Sequence, residues 1–87
     1  MIQKTLSALC DPTRREILKL LKRGARSAGE ISERFDISAP AISRHLAVLR
    51  DAELVEIERD GKRIIYRLNP APLEDILYWI KNIFEEE

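Results

Sequence analysis

The stretch SAPAISRHLAVLRDAEL, residues 38–54, decides the fold of this chain. Ser38 can cap the free backbone N–H groups of a first helical turn, and Pro40 fits that turn because a missing donor costs nothing there. Apolar side chains then recur at i, i+4 and i+7, which is the spacing of one buried helical stripe. These side chains are Ile42, Leu46 and Leu49. The stretch from Ser38 to Leu54 is therefore predicted to be one amphipathic helix.

The face opposite this stripe carries small residues and a single arginine, Arg44. Small side chains let a helix approach the edges of DNA bases closely, and an arginine can donate two hydrogen bonds to a guanine. The face therefore suits a DNA major groove, although a solvated helix face has a similar composition. The candidate contacts are Ser38, Ala39, Pro40, Ser43, Arg44 and His45.

The residues before this helix predict a second, shorter helix. Ser27 and Glu30 have the spacing of a capping box, so we expect a helix over Ala28–Arg34. Three residues, 36–38, separate it from the helix that follows. Two short capped helices joined by a tight turn are typical of a helix-turn-helix.

Beyond the second helix the apolar pattern changes from a helical period to alternation, which predicts strands over 55–59 and 62–68. Asp60-Gly61 between them is a two-residue hairpin signal. A loop of those two residues puts apolar side chains on one face of the ladder and an opposite-charge pair on the other. The expected pairs are Val55 with Tyr66, Ile57 with Ile64, and Glu58 with Arg63.

The tip of this hairpin is basic, because Arg59, Lys62 and Arg63 lie at or beside the loop. A basic hairpin beside a helix-turn-helix is typical of a wing that contacts the DNA backbone or minor groove. We therefore predict a mainly α (α+β) fold, a winged helix-turn-helix of about five helices with one two-stranded β-hairpin wing.

The first and last helices offer apolar surface for a second copy of the chain. We expect them over residues 1–10 and 72–85, within one domain that spans residues 1–87. A domain this small gains from sharing its core, and the last helix has more apolar surface than a three-helix core can cover. Folding of that helix onto its own core is the alternative. The predicted dimer-interface residues are Ile2, Leu6, Leu9, Leu73, Ile76, Leu77, Ile80, Ile83 and Phe84.

Asp11 and Pro12 separate the first helix from a basic second helix. Asp11 can cap the second helix, and Pro12 fits its first position. The basic side chains of this segment are candidates for phosphate contact or for simple solvation. They are Arg14, Arg15, Lys19, Lys22, Arg23 and Arg26.

Composition limits the class of protein. The 15 basic and 15 acidic side chains cancel, but residues 1–69 hold 14 basic and 10 acidic ones, and residues 70–87 hold one and five. This asymmetry allows a basic face towards phosphates. Apolar runs are shorter than the roughly 18 residues that span a bilayer, no signal peptide is visible, and Cys10 is the single cysteine. We expect a cytoplasmic protein without membrane contact.

Four segments, ALCDPTRREILKLL, SAGEISERFDIS, SAPAISRHLAVLRDAELV and ERDGKRIIYRLNP, together resemble the ArsR (arsenical-resistance repressor) family of winged-helix transcription repressors. The resemblance covers roughly residues 6–70. It implies a homodimer, joined through its first and last helices, that reads a palindromic operator in double-stranded DNA, often in its own promoter. It also implies that the three basic wing residues contact DNA backbone or minor groove. The implied base contacts are Ala39, Pro40, Ser43 and Arg44, adjoined by His45.

Two departures separate this chain from the family's metal-sensing members. The segment GEISERFDIS lacks the cysteine pair that many of them carry, and PLEDILYWIKNIFEEE has neither histidine nor cysteine. A closed site for a soft metal commonly takes three or four such ligands. We therefore expect no metal and no cofactor, as in the metal-free autorepressor branch of the family.

Other functions remain open at this point. An enzyme is not expected, because His45 is the only histidine and no nucleophile-base pair or carboxylate dyad accompanies it. A winged-helix protein–protein interaction module is an alternative that the zero net charge favours. A repressor released by a small ligand, by a partner protein or by oxidation of Cys10 is another, although a small buried side chain is the simpler role for Cys10. His45 either contacts DNA or packs in the core.

Overall fold

A computed structural model describes residues 2–85, so the ends of the predicted domain, residue 1 and residues 86–87, lie outside the described residues. Residues 2–85 form five α-helices and a three-stranded antiparallel sheet, which confirms the predicted winged helix-turn-helix. The helices are α1 (Ile2–Leu9), α2 (Pro12–Lys22), α3 (Ala28–Arg34), α4 (Ala39–Asp51) and α5 (Ala71–Phe84). The strands are β1 (Arg26–Ser27), β2 (Val55–Asp60) and β3 (Arg63–Leu68).

The three predicted helix caps are confirmed. The Asp11 carboxylate accepts hydrogen bonds from the backbone N–H groups of Thr13 at 2.7 Å and Arg14 at 3.2 Å at the start of α2. At the start of α3, Ser27 and Glu30 close a complete capping box. Ser38 accepts from the Ala41 N–H at 3.3 Å and caps α4. Each helix of the helix-turn-helix therefore starts where its own cap residue places it.

The end of α4 differs from the prediction, because the helix stops at Asp51 rather than at Leu54. Glu53 adopts a positive φ of 60°, and the Leu54 N–H reaches back to the Leu49 carbonyl at 2.9 Å. This turn reverses the chain and brings Leu54 into the core, where it is completely buried. Leu54 is apolar and was therefore predicted to end the helix, although it lies in the turn that leads into β2.

The hairpin forms, but its register differs from the prediction by two residues. Asp60 pairs with Arg63, so the loop is Gly61-Lys62 rather than Asp60-Gly61. Gly61 has a φ of 65°, which suits a two-residue turn that needs positive φ at its first central position. A slip of two residues keeps every side chain on the same face, and the alternating pattern therefore could not distinguish the two registers.

This register changes the predicted cross-strand partners. Glu58 lies opposite Ile65 instead of Arg63, and its carboxylate accepts a hydrogen bond from Arg67 at 2.6 Å. Ile64 lies opposite Arg59 near the tip and is exposed rather than in the core. The apolar face of the wing is therefore shorter than predicted.

A third strand, β1, was not predicted. Its two residues pair with β3, Arg26 with Tyr66 and Ser27 with Ile65, which gives the strand order β1-β3-β2. A two-residue strand has no readable periodicity, and the pairing depends on the tertiary fold. The pairing of β1 with β3 matters for the candidate site, because it holds the start of α3 against the wing.

The core lies between the helices of the motif and the base of the sheet. Its largest fully buried side chains come from α2, α3, α4 and the turn after α4. No helix within residues 2–85 is long and apolar enough to cross a membrane. The largest fully buried side chains are Ile17, Ile31, Ile42, Leu46, Leu49 and Leu54.

The burial pattern of α4 gives a direct test. Leu49 is 0% exposed and Val48 is 39% exposed on the same helix. We expect Leu49→Ala to lower the free energy of unfolding by about 2 to 5 kcal/mol, because it leaves a cavity. Val48→Ala, the matched control, should change it by less than about 0.5 kcal/mol. Urea denaturation at one fixed protein concentration measures both, and equal losses would contradict this packing.

Candidate nucleic-acid interface

The N-terminal half of α4 presents the predicted contacts on an open surface. Its apolar stripe is buried in the core, so the opposite face is held outward without its own packing partners. Among residues 2–85, Arg44 has neither a hydrogen-bond nor an ion-pair partner, which leaves its guanidinium donors available. The exposed residues of this face are Ser38, Ala39, Pro40, Ser43 and Arg44.

A shallow cleft separates the beginnings of α3 and α4. It has a volume of about 510 Å³, and both Ala39 and Ser43 line it. The remaining lining residues are also mostly small, namely Ala28, Gly29, Ser32, Glu33 and Ile42. Small side chains at this position give a DNA strand room to approach the helix backbone.

His45, the sixth predicted contact, is half-buried beside Arg14 of α2. A guanidinium nitrogen of Arg14 lies 3.4 Å from the imidazole Nδ1 of His45. Because arginine only donates, Nδ1 is the acceptor in this contact and Nε2 carries the ring proton. The structure therefore packs His45 against the second helix, and this contact orients its ring at the edge of the predicted reading face.

Two arginines of the basic α2 segment are engaged by α1. Arg14 donates to the Ala8 carbonyl at 2.7 Å and to the Ser7 carbonyl at 3.2 Å, while Arg15 donates to the Leu9 carbonyl at 2.6 Å. These carbonyls lie at the end of α1, where the Ser7 carbonyl also accepts the Cys10 N–H at 3.2 Å, and a cation there suits the helix dipole. Arg14 and Arg15 therefore anchor α1, a role the sequence did not indicate.

The tip of the wing holds two cations without internal partners. Within residues 2–85, Arg59 and Lys62 make neither ion pairs nor hydrogen bonds through their side chains, and both are exposed. Free basic side chains on a protruding hairpin are suited to contacts with phosphates. The structure thus brings these two residues together as the sequence predicted.

Arg63, the third predicted wing contact, has a different environment. One of its guanidinium nitrogens lies 3.1 Å from Oε1 of Glu30 on α3. The same carboxylate oxygen accepts the Ser27 N–H at 2.8 Å in the capping box. The sequence identified Glu30 as a capping residue only, because its pairing with the wing depends on β1 and on the hairpin register.

The apolar residues of α5 divide into a buried and an open group. Ile76 is 6% exposed and Leu73 packs on the core, so both contact their own protomer, as the fold-back alternative expected. Ile76 is therefore removed from the predicted dimer interface. Farther along the helix, Leu77 is 67% exposed and Phe84 is 82% exposed. The open group also contains Tyr78, Trp79, Ile80 and Ile83.

The α1 part of the predicted interface is intermediate in burial. Ile2, Leu6 and Leu9 are half-buried, and Leu9 packs on the core. α1 and α5 also lie against each other, so both ends of the chain meet on one side of the molecule. The predicted interface residues that are open or half-buried on these two helices form a candidate interface, which we call the α1/α5 face. They are Ile2, Leu6, Leu9, Leu77, Ile80, Ile83 and Phe84.

The described residues, 2–85, contain neither a metal-binding cluster nor a buried thiol. Within residues 2–85, no group of three or more histidine, cysteine, aspartate or glutamate side chains is arranged to hold a metal ion. Cys10 is exposed at the junction of α1 and α2. Its expected role as a small buried side chain is therefore wrong, because the chain turns at the surface there.

Comparison with known sequences connects this architecture to transcription regulators. The family model described as "Bacterial regulatory protein, arsR family" matches residues 11–56. The chain is 44% identical over 85 residues to the transcriptional repressor SdpR of Bacillus subtilis, covering 98% of the chain and 94% of that protein. It is 43% identical over 72 residues to the arsenical resistance operon repressor of Staphylococcus aureus, covering 83% and 69%.

Solved structures agree with the sequence comparison. An ArsR-like transcriptional regulator from Rhodococcus sp. RHA1 superimposes with a TM-score of 0.86 at 35% identity, covering 94% of this chain and 77% of that one. The transcriptional repressor BigR from Xylella fastidiosa superimposes with a TM-score of 0.74 at 31% identity, covering 99% and 88%. These relatives and solved structures are transcription regulators and not enzymes, in agreement with the expectation for this chain.

Asp11 makes the junction of α1 and α2 sensitive to acid. Desolvation raises the pKa of Asp11, but hydrogen bonds from the Arg14 and Thr13 N–H groups outweigh it. Together with the Coulombic attraction of the His45 and Arg14 side chains, these bonds hold the pKa of Asp11 below its ordinary value. A carboxyl group with a lowered folded-state pKa stabilises the fold above its unfolded pKa and loses that contribution as the pH falls through the folded one.

We therefore expect Asp11→Asn to be less stable than the wild type at pH 7, and the difference to disappear as the pH falls through the range in which the Asp11 carboxylate becomes protonated. Asparagine caps a helix about as well as aspartate, so the difference reports the charge. Thermal melts across pH 7 to 2.5 measure it. Asp36→Asn is the control, because Asp36 is exposed and has no partner within residues 2–85. A difference for Asp11→Asn that is constant with pH would contradict this assignment.

Proposed function

Because this chain belongs to the arsR family of bacterial regulatory proteins, we propose that it represses transcription as a homodimer bound to a palindromic operator. The observation that carries the proposal is the open face of α4, where small residues surround an unpartnered Arg44 on a rigidly packed helix. A protein-interaction surface would more often present a bulky apolar anchor at this position. The small face and the free guanidinium favour base edges instead.

In the proposed complex, the N-terminal half of α4 enters a major groove. Arg44 donates two hydrogen bonds to a guanine, and Ser43 bonds to a base or a phosphate. Ser38, Ala39 and Pro40 set the close approach of the helix, with His45 at the groove edge. The buried stripe behind this face fixes the orientation of α4, so that the contacts are prepared before DNA binds.

The wing supplies contacts that do not depend on base sequence. Arg59 and Lys62 are free at the tip, and Arg63 lies at the start of β3. Cations at these positions neutralise phosphates or enter the minor groove, and they contribute affinity together with a salt dependence. In the structure, one guanidinium nitrogen of Arg63 is paired with Glu30.

The dimer is proposed to form through the α1/α5 face. Large apolar side chains such as Leu77 and Phe84 stand open on α5, and a second copy related by a two-fold axis would cover them. Such a dimer places two recognition helices about 34 to 36 Å apart, which is one turn of duplex. An operator read this way is palindromic.

The dimer is proposed to repress transcription by occupying the operator. A dimer that covers the operator excludes RNA polymerase from an overlapping promoter, and we propose the chain's own promoter as one such target. The protein then acts in the cytoplasm, where the operator is. Release by a small ligand or by a partner protein is compatible with this mechanism, and no described residue identifies the inducer.

We expect Arg44→Ala to weaken binding to the operator by about 1 to 3 kcal/mol and to relax base preference at one position. Lys62→Ala should weaken operator and random duplexes alike and should flatten the salt slope by about one. Fluorescence anisotropy with both duplexes across a salt series measures these effects. If Arg44→Ala costs the same on operator and on random DNA, Arg44 does not read bases.

The dimer has its own test. Phe84→Glu places a charge in the open apolar stripe, and we expect it to convert a dimer into a monomer in sedimentation at micromolar concentration. Tyr78→Glu is the matched control, because Tyr78 is 69% exposed on the same helix but lies outside the predicted stripe. A wild-type protein that sediments only as a monomer at this concentration would exclude the proposed dimer.

A further inference from the structure

Glu30 joins the first helix of the DNA-reading motif to the wing through a single carboxylate oxygen. Oε1 of Glu30 accepts the Ser27 N–H at 2.8 Å, which closes the capping box of α3. The same oxygen lies 3.1 Å from a guanidinium nitrogen of Arg63 at the start of β3. Ser27 itself belongs to β1, which pairs with β3. Oε1 of Glu30 therefore binds both the N-terminal cap of α3 and the wing.

We propose that Glu30 competes with the DNA backbone for Arg63 and so sets how strongly the wing binds any duplex. This inference rests on the proposed function, because it concerns the wing of a DNA-binding protein. In the free protein, Glu30 occupies the guanidinium. In the complex, a phosphate replaces Glu30. The free energy needed to break the ion pair makes the free energy of DNA binding less favourable.

The ion pair is weak enough to be exchanged. The side chains of Arg63 and Glu30 remain 57% and 51% exposed, so water screens their attraction, and exposed pairs contribute little to stability. A DNA phosphate offers arginine two anionic oxygens, as a carboxylate does, and neighbouring phosphates add further negative charge. Exchange of Glu30 for a phosphate therefore replaces one charge-assisted hydrogen bond with another.

Glu30 is charged under the conditions in which DNA binds. Hydrogen bonds from the backbone N–H and the hydroxyl of Ser27, together with the adjacent guanidinium of Arg63, hold the pKa of Glu30 below its ordinary value against the effect of desolvation. The carboxylate is therefore ionised at neutral pH.

The capping box allows the charge to be removed without removing the cap. Glutamine occupies the same position in natural capping boxes, so Glu30→Gln can still accept the Ser27 N–H. We expect Glu30→Gln to melt close to the wild type and to bind a random-sequence duplex about two- to fivefold more tightly at low salt. Its salt slope should stay close to that of the wild type, because Arg63 contacts a phosphate in both complexes and only the ion pair broken on binding differs.

Glu58→Gln is the matched control. Glu58 lies on β2 of the same sheet and pairs with Arg67 at 2.6 Å, so the substitution makes the same change in net charge and also frees an arginine. Arg67 is not among the proposed wing contacts, and we expect unchanged affinity. In an Arg63→Ala background, Glu30→Gln should likewise have no effect, since the two side chains act as one unit.

The outcomes separate this inference from the proposed function. Tighter binding of Glu30→Gln to random duplex, absent in Glu58→Gln and in the Arg63→Ala background, supports the competition even if the wild type prefers no operator. Unchanged or weaker binding of Glu30→Gln overturns it, and so does an equal gain in Glu58→Gln, which would indicate net charge alone. If the wild type binds no duplex at all, both proposals fail.

Discussion

Arg14 is the residue on which the relation between the molecule's two surfaces depends. Its guanidinium holds the carbonyls of Ser7 and Ala8 at the end of α1 and also contacts the imidazole of His45 on α4. Asp11, three residues earlier, caps α2 and so positions the backbone from which Arg14 extends. The junction of α1 and α2 thus fixes the position of the α1/α5 face relative to α4. In a dimer, that relation determines the distance between two reading helices.

The parts of the fold that follow local rules were predictable from the sequence. Caps at Asp11, Ser27 and Ser38 depend on residues within one helical turn, and the buried stripe of α4 depends on helical spacing alone. The composition of the α4 face and the basic hairpin tip were visible for the same reason. These local signals were sufficient for the winged helix-turn-helix and for the location of its candidate contacts.

The features that the sequence did not determine are those that depend on distant partners. A two-residue slip preserves the faces of a hairpin, so only the turn geometry at Gly61 selects the register. Burial of Ile76, but not of Phe84, depends on how far α5 extends beyond the core. The pairing of Arg63 with Glu30 requires that register together with β1. Errors in the candidate site therefore arose where the wing meets the helices.

The central claim is that two copies of the chain read DNA with their α4 helices one turn apart. Selection of bound duplexes from a random pool, followed by sequencing, tests it most directly. We expect the selected duplexes to contain an inverted repeat whose half-site centres lie about 10 to 10.5 base pairs apart. Enrichment of a single half-site, of a direct repeat or of no sequence at all would contradict it.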